Sequence, residues 1–173
     1  TVTVSSNGFL RLGSGTATAY TNVAIPNVLD PNAFIAPAWD DWNPANGGSV
    51  SVKTIGTSPT RRYVVTWSEI PHFSVSGSTA SFQAVLEEGS DIFRLQYRDV
   101  ILGGATGYDR GGSATVGYEG PTGEWGTQLS YNTQSLLDGT AYRCSTQASL
   151  GPTIGWDAFP DGTTGVPYRI TLS

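Results

Sequence analysis

The 173-residue sequence contains no methionine, a single cysteine (Cys144), a single histidine (His72) and a single lysine (Lys53). One cysteine rules out an internal disulfide framework and a cysteine-based metal site, and leaves the redox compartment open. Charged residues make up only 13% of the chain, with a net charge of −5, and Lys53 is the sole lysine among nine basic residues. Nucleic-acid binders carry a basic balance, so DNA, RNA and anionic membranes are not expected partners. No apolar run approaches the roughly 20 residues of a spanning helix, so no membrane insertion is expected. No window sustains an apolar period of 3.6 residues either, which argues against a helical fold. The chain opens in mid-pattern at Thr1-Val-Thr-Val4 without an initiator methionine or signal peptide. It is therefore expected to be a mature or excised segment of a longer product.

What is abundant is glycine (22), proline (10), threonine and serine, the composition of many short strands joined by tight turns. Low charge, scarce lysine and a Thr/Gly/Asn-rich β composition suit a secreted bacterial protein. A chain of this length buries roughly two-thirds of its unfolded surface, so folding needs no metal or disulfide. The clearest segment is Ser81–Tyr97. Phe82, Ala84 and Leu86 alternate with Ser81, Gln83, Val85 and Glu87, and after the turn Phe93, Leu95 and Tyr97 alternate with Ile92, Arg94, Gln96 and Arg98. A four-residue loop, Glu88–Asp91, pairs Leu86 with Phe93, Ala84 with Leu95 and Phe82 with Tyr97. Turn and apolar pattern thus demand the same register, and an antiparallel sheet with one wet face follows.

Further strands are expected at Thr1–Ser5, Phe9–Leu12, Ser49–Ile55, Arg62–Glu69, Ser113–Glu119 and Ala141–Cys144. Ser6-Asn7-Gly8 reads as a turn with Asn-Gly at positive φ. Proline-flanked Ala33–Ala38 reads as a short buried segment or an edge strand. Closely spaced strands without intervening helices give an all-β fold, an antiparallel β-sandwich with long Gly/Pro/Asn-rich loops. The C-terminal end differs. Residues 146–160 read as a linker, and 161–173 as either the last strand of this sandwich or the first strand of an Ig-like repeat.

Several segments in order resemble the nidogen-like (NIDO) extracellular domain and its bacterial relatives. They are Ser5-Ser-Asn-Gly-Phe9, Ile35-Ala-Pro-Ala-Trp-Asp-Asp41, Val64-Val-Thr-Trp67, Ser81-Phe-Gln-Ala-Val-Leu86, Phe93-Arg-Leu-Gln-Tyr97 and Ala114-Thr-Val-Gly-Tyr118. The resemblance spans residues 1–145. It implies a β-rich extracellular module of matrix, adhesion and multidomain secreted proteins, without recognised catalytic residues. The shared residues read as architecture: a turn at Asn7-Gly8, burial by Trp39 and Trp67, and an aromatic cross-strand pair of Phe82 and Tyr97.

Candidate chemistry is sparse. His72 lacks a nucleophile-elbow motif near any serine, Ser76 sits in loop composition, and a surface-loop imidazole is the simpler reading. The carboxylate pairs are Asp40/Asp41, Glu87/Glu88 and Glu119/Glu124. A glycosidase needs two acids facing across a cleft. Adjacent strand residues point to opposite faces, and Glu87 and Glu88 read as solvated turn charges. In the loop Asp40–Gly48, the hard oxygen donors Asp41, Asn43 and Asn46 precede glycines, which suits calcium; an ordinary Asx turn is the other reading. Tyr108–Gly111, a weaker oxygen cluster, reads as a mobile loop. Trp42, Trp125 and Trp156 lie in Gly/Pro-rich loops and serve either as sugar-stacking platforms or as plugs over the sandwich edge. A Lys–Asn isopeptide bond would have to use Lys53.

No catalytic, cofactor-binding or metal residue is assigned from these patterns. The expectation is a non-enzymatic adhesion or structural module, secreted or at the cell surface, with an extracellular protein or polysaccharide as partner. The alternatives are a carbohydrate-binding accessory module of a secreted hydrolase, and a filament subunit that self-assembles through an edge strand, Tyr168–Leu172 completing a neighbour's sheet.

Overall fold

The computed structural model describes residues 1–103 and 107–146, together with the backbone of two C-terminal strands, Ile154–Trp156 and Tyr168–Leu172. The alternating segments become strands, and among the described residues no helix is long and apolar enough to cross a membrane. One sheet is formed by β1 (Val2–Val4), β2 (Leu10–Leu12), β3 (Phe34–Trp39), β8 (Thr115–Glu119) and β9 (Gly126–Tyr131), in that spatial order. Facing it is the meander β4 (Ser49–Ile55), β5 (Arg62–Pro71), β6 (Thr79–Glu87) and β7 (Ile92–Asp99), continued by β10 (Thr140–Ser145). Beyond β10 lie β12 (Tyr168–Leu172) and then β11 (Ile154–Trp156). All these pairings are antiparallel except β10 with β12, where Tyr142 and Arg143 stand opposite Tyr168 and Arg169. The remainder of residues 147–173, including most of the expected linker, lies outside the described residues.

The β6–β7 hairpin has the expected register: Leu86 opposite Phe93, Ala84 opposite Leu95, Phe82 opposite Tyr97. The rings choose other partners. Phe82 stacks on Trp67 at 5.2 Å and lies against Trp42, while Tyr97 meets Tyr142 edge-on. The hairpin's outer face is not uniformly wet: Val85 is buried between Val64 and Arg94, its register neighbours on either side. Leu86, near the turn, is only half-buried.

Ala33–Ala38 proves to be a buried segment and not an edge. Every residue of β3 is buried at the centre of its sheet. Pro37 has no N–H for a ladder, and the strand accommodates it with a register shift between Ala36 and Trp39. The Pro37 carbonyl accepts a hydrogen bond from Tyr97 Oη across the sandwich at 2.7 Å, and Trp67 Nε1 donates to Ser5 O at 3.0 Å. The polar tips of two buried aromatics thereby tie one sheet to the other.

Strand β9 was not expected from the sequence. It is an edge strand with one aliphatic side chain, Leu129, so its alternation is nearly all polar. The turn after β1 puts only Gly8 at positive φ (77°); Asn7 does not adopt it. A Cβ at Gly8 would stand 1.9 Å from the Ala38 carbonyl, so close approach as well as φ requires glycine.

Two cores result. Between the sheets pack Leu10, Ile35, Val65, Trp67, Phe82, Leu95 and Val116. On the far side of the five-stranded sheet, Phe9, Phe34, Ala36 and Trp39 pack under Ala17 and Ile25 of the connection 13–33. That connection is fastened down by hydrogen bonds from Trp39 Nε1 to Ala19 O, Thr115 Oγ1 to Val23 O and Ile25 N to Gln128 Oε1. Arg11 clamps Asp30 with two bonds of 2.5 and 3.1 Å.

Candidate functional site

His72 is not a surface imidazole. It follows β5, is 4% exposed, and packs its ring on Trp42 and Tyr108. Asp40, just past β3, lies 3.1 Å from His72 Nε2. The chain segments carrying them pair: Trp42 bridges His72, Asn43 N donates to Pro71 O, and Phe73 N donates to Asp41 O. One end of β3 is thus stitched to one end of β5, across the two sheets.

The chemistry of the cluster follows from who donates to whom. His72 Nδ1 accepts from Ser74 N at 3.1 Å, which places the neutral ring's proton on Nε2. That N–H does not align on Asp40, so Nε2 has an electrostatic contact without a hydrogen bond. Asp40 Oδ1 accepts from Asp41 N at 2.9 Å, and Oδ2 accepts a short bond from Ser113 Oγ. Serine, carboxylate and imidazole therefore meet in the order Ser113–Asp40–His72. A nucleophilic serine needs the imidazole beside its hydroxyl, with the acid behind. Here the acid stands between them, and the hydroxyl donates to the Asp40 carboxylate and not to the imidazole.

Ser113 and Tyr108 carry no local signature. Their role depends on contacts reaching 73 residues along the chain for Ser113 to Asp40, and no sequence spacing reports that. Ser76 is exposed and takes no part.

The other carboxylates are engaged separately. Glu87 is ion-paired with Arg94, and Glu88 takes a fork of bonds from Arg61, 2.5 Å to Nη2 and 2.9 Å to Nε. These are paired charges and not the bare turn charges expected. The Arg61 bonds hold the Glu88 carboxyl down at about 2. Glu119 is buried at the end of β8, accepting from Asn27 N at 2.6 Å, and burial raises its carboxyl to about 7. Glu124 accepts instead from Thr122 in the following turn.

In the Asp40–Gly48 loop, Asn43 Oδ1 accepts from Ala45 N and caps a single 3-10 turn, Pro44–Asn46. Among the described residues no group of three or more His, Cys, Asp or Glu gathers. The Tyr108–Gly111 segment is pinned: Leu102 N donates to Asp109 Oδ1, Arg110 N donates to Val100 O, and Arg110 O accepts from Ser135 and Leu136. Trp42 is buried and donates to Ala38 O, which removes it as a platform; Trp125 is 52% exposed. The Trp156 side chain lies outside the described residues. Lys53 is exposed on edge strand β4. Cys144 is buried opposite Phe93, and burial pushes its thiol up to about 12.

Two depressions lie on the outer face of the larger sheet. Across β5, β6 and β7 a polar ladder runs from Thr66 Oγ1 to Gln83 Oε1 at 3.1 Å, and from Gln83 Nε2 to Gln96 Oε1 at 2.5 Å. With Ser68, Ser81 and Arg98 it lines an open depression of about 280 Å³. Nearer the hairpin tip, Arg61, Arg62, Arg94, Glu87 and Glu88 line another of about 270 Å³.

Fold and clusters together define an antiparallel β-sandwich with a buried Asp40–His72 contact between its two sheets. The family described as NIDO related matches residues 1–156, and the chain belongs to it. Membership identifies an extracellular structural module in general. The match extends past the expected boundary at residue 145 and takes in β11, while β12 lies beyond it. No curated protein and no solved structure matches the chain.

Proposed function

We propose that this chain is a non-catalytic adhesion or structural module of a secreted or cell-surface bacterial protein. The observation that carries the reading is the Ser113–Asp40–His72 junction, where the groups best suited to acid–base chemistry hold the two sheets to each other. A reactive centre needs such groups free to meet a substrate; here Asp40 and His72 are buried, Ser113 is half-buried, and they are turned toward one another. Family membership supports the extracellular setting. The test is twofold. Protease treatment of intact producing cells should remove the domain, and beads coated with the purified chain should adhere to extracellular matrix or cell surfaces where bare beads do not. A domain protected until lysis, or beads that never adhere, would end the reading.

A second reading, a carbohydrate-binding accessory module, is supported by the exposed indole of Trp125, which lies over Gly120. Stacking on a sugar ring there should change tryptophan fluorescence when soluble polysaccharides are added, and Trp125→Ala should abolish the change. An identical response in the variant removes this reading.

A further inference from the structure

The outer face of the larger sheet collects positive charge in a chain that is acidic overall. Of nine basic residues, Lys53, Arg62, Arg94, Arg98 and Arg143 all lie on it. Pairing places Lys53, Val64, Val85, Arg94 and Arg143 in one row across β4, β5, β6, β7 and β10. Arg62 and Arg98 flank that row along their strands. The carboxylate of Glu87 answers Arg94. Asp99, at the end of β7, accepts from Ile101 N. Among the described residues, no carboxylate lies within ion-pair distance of Lys53, Arg62, Arg98 or Arg143. Arg94 is held below its ordinary value first by burial, then by its neighbours Arg143 and Arg62. Surplus carboxylates elsewhere on the molecule leave this concentration of like charge unrelieved.

The polar ladder between these arginines is directional. Thr66 donates to Gln83 and Gln83 donates to Gln96, so the series ends on Gln96 Nε2. That amide has no acceptor among the described residues, and it shares the depression with Arg98. The concavity therefore presents guanidinium and amide donors together. Charge-assisted bonds from such donors are the strong ones for carboxylate and sulfate oxygens, and the hydroxyls of Thr66, Ser68 and Ser81 suit polyhydroxylated ligands.

We infer that this face binds a linear acidic polysaccharide, its carboxylate or sulfate groups on Arg98, Arg143 and Arg62 and its sugar hydroxyls along the Thr66–Gln83–Gln96 ladder. The inference rests on the proposed reading of the domain as an extracellular module, and names its partner. Charge complementarity selects an anionic polymer. A protein partner is disfavoured because interface centres rely on aromatic and aliphatic anchors, and the exposed aromatics Tyr20, Phe73 and Trp125 are absent from both depressions of this face. The same lack of stacking rings argues against single-stranded nucleic acid.

The test uses the full chain in titration calorimetry against sodium polygalacturonate, dextran sulfate, neutral dextran and poly-L-glutamate. Binding is expected to one or both acidic polysaccharides, weakening as salt rises, with none to dextran. Polygalacturonate alone would assign the group as carboxylate, and dextran sulfate alone as sulfate. The Arg98→Gln/Arg143→Gln double variant should lose at least tenfold in affinity and Gln96→Ala a few-fold, while Arg110→Gln, away from the face, changes nothing. Unchanged melting temperatures would separate these losses from misfolding. No binding to either acidic polysaccharide, or undiminished binding by the double variant, overturns the inference. Poly-L-glutamate bound as tightly as the glycans also overturns it, in favour of an acidic polypeptide. Beads that still adhere while glycans do not bind would sink this inference and leave the module reading standing; a domain never found outside the cell would sink that reading instead.

Discussion

In the five-stranded sheet, β3 and β8 bury every residue on both faces. In the facing sheet, β7 buries Phe93, Leu95 and Tyr97 but turns Arg94, Gln96 and Arg98 outward. The strands themselves differ: β3, Phe-Ile-Ala-Pro-Ala-Trp, is apolar throughout, while β7 alternates apolar with polar residues. The covering differs to match. The connection 13–33 crosses the far side of the smaller sheet and supplies Ala17 and Ile25 as a lid over Phe34 and Trp39. The larger sheet has no such strap among the described residues, so its outer residues solve the problem of solvation by pairing with one another. A sheet covered on both sides is committed to stability, while one left open keeps a face for recognition.

The strongest way to break this comparison is to empty the second core. Trp39→Ala should cost about 3–5 kcal/mol, because it removes a fully buried indole and the bond that holds Ala19. Gln83→Ala, on the open face, should cost less than about 1 kcal/mol. Urea denaturation of the two variants measures the contrast, and equal losses would refute it.

Next in size is the inter-sheet junction. Asp40→Ala strands the half-buried Ser113 hydroxyl and removes the carboxylate beside the buried His72 Nε2. About 2–4 kcal/mol should be lost, read as a lower thermal midpoint. His72→Ala should fall in the same range through lost packing on Trp42 and Tyr108. A His72 variant as stable as the parent would mean the junction does not couple the sheets.

Glu119 sharpens the comparison through pH. Burial lifts its carboxyl from an ordinary 4.5 to about 7, so the folded chain holds the proton more tightly than the unfolded one. The contribution is fully present below about 4.5 and is lost as pH rises through about 7. Glu119→Gln, which cannot ionise, should flatten this part of the stability profile. A variant with the parent's slope between those limits would show that another group sets it.

The smallest effect belongs to the hairpin tip. Glu88→Gln breaks a surface ion pair with Arg61, and no resolvable change in melting temperature is expected. A clear drop would mean the tip is better ordered by that pair than surface pairs usually are.

The β6–β7 hairpin was legible because two independent local signals, turn length and apolar alternation, required one register, and the strand pairing agrees. Strand β4 was legible to the residue from its alternation alone. Strand β9 was not: at the edge of its sheet only Leu129 reaches toward the core, so little apolar pattern remains to be read. The flanking prolines of β3 suggested an edge, because a missing donor is usually tolerated there; a bulge at Pro37 let the strand occupy the centre instead. Sole occurrence and loop position made His72 look superficial, yet its burial comes from Trp42 and Tyr108, residues that no spacing links to it.

By itself the sequence determined that the chain is β, where most strands run, and which side of the alternating strands is apolar. Those properties are local, set by a two-residue period and by turn chemistry. Only the tertiary structure decided which strands share a sheet, that the connection 13–33 covers one sheet and not the other, that Ser113, Asp40 and His72 meet, and that dispersed basic residues converge on one surface. Each of those outcomes depends on contacts between residues far apart in the chain, whose free energy is settled by burial and closure across the whole fold and leaves no periodic trace in the sequence.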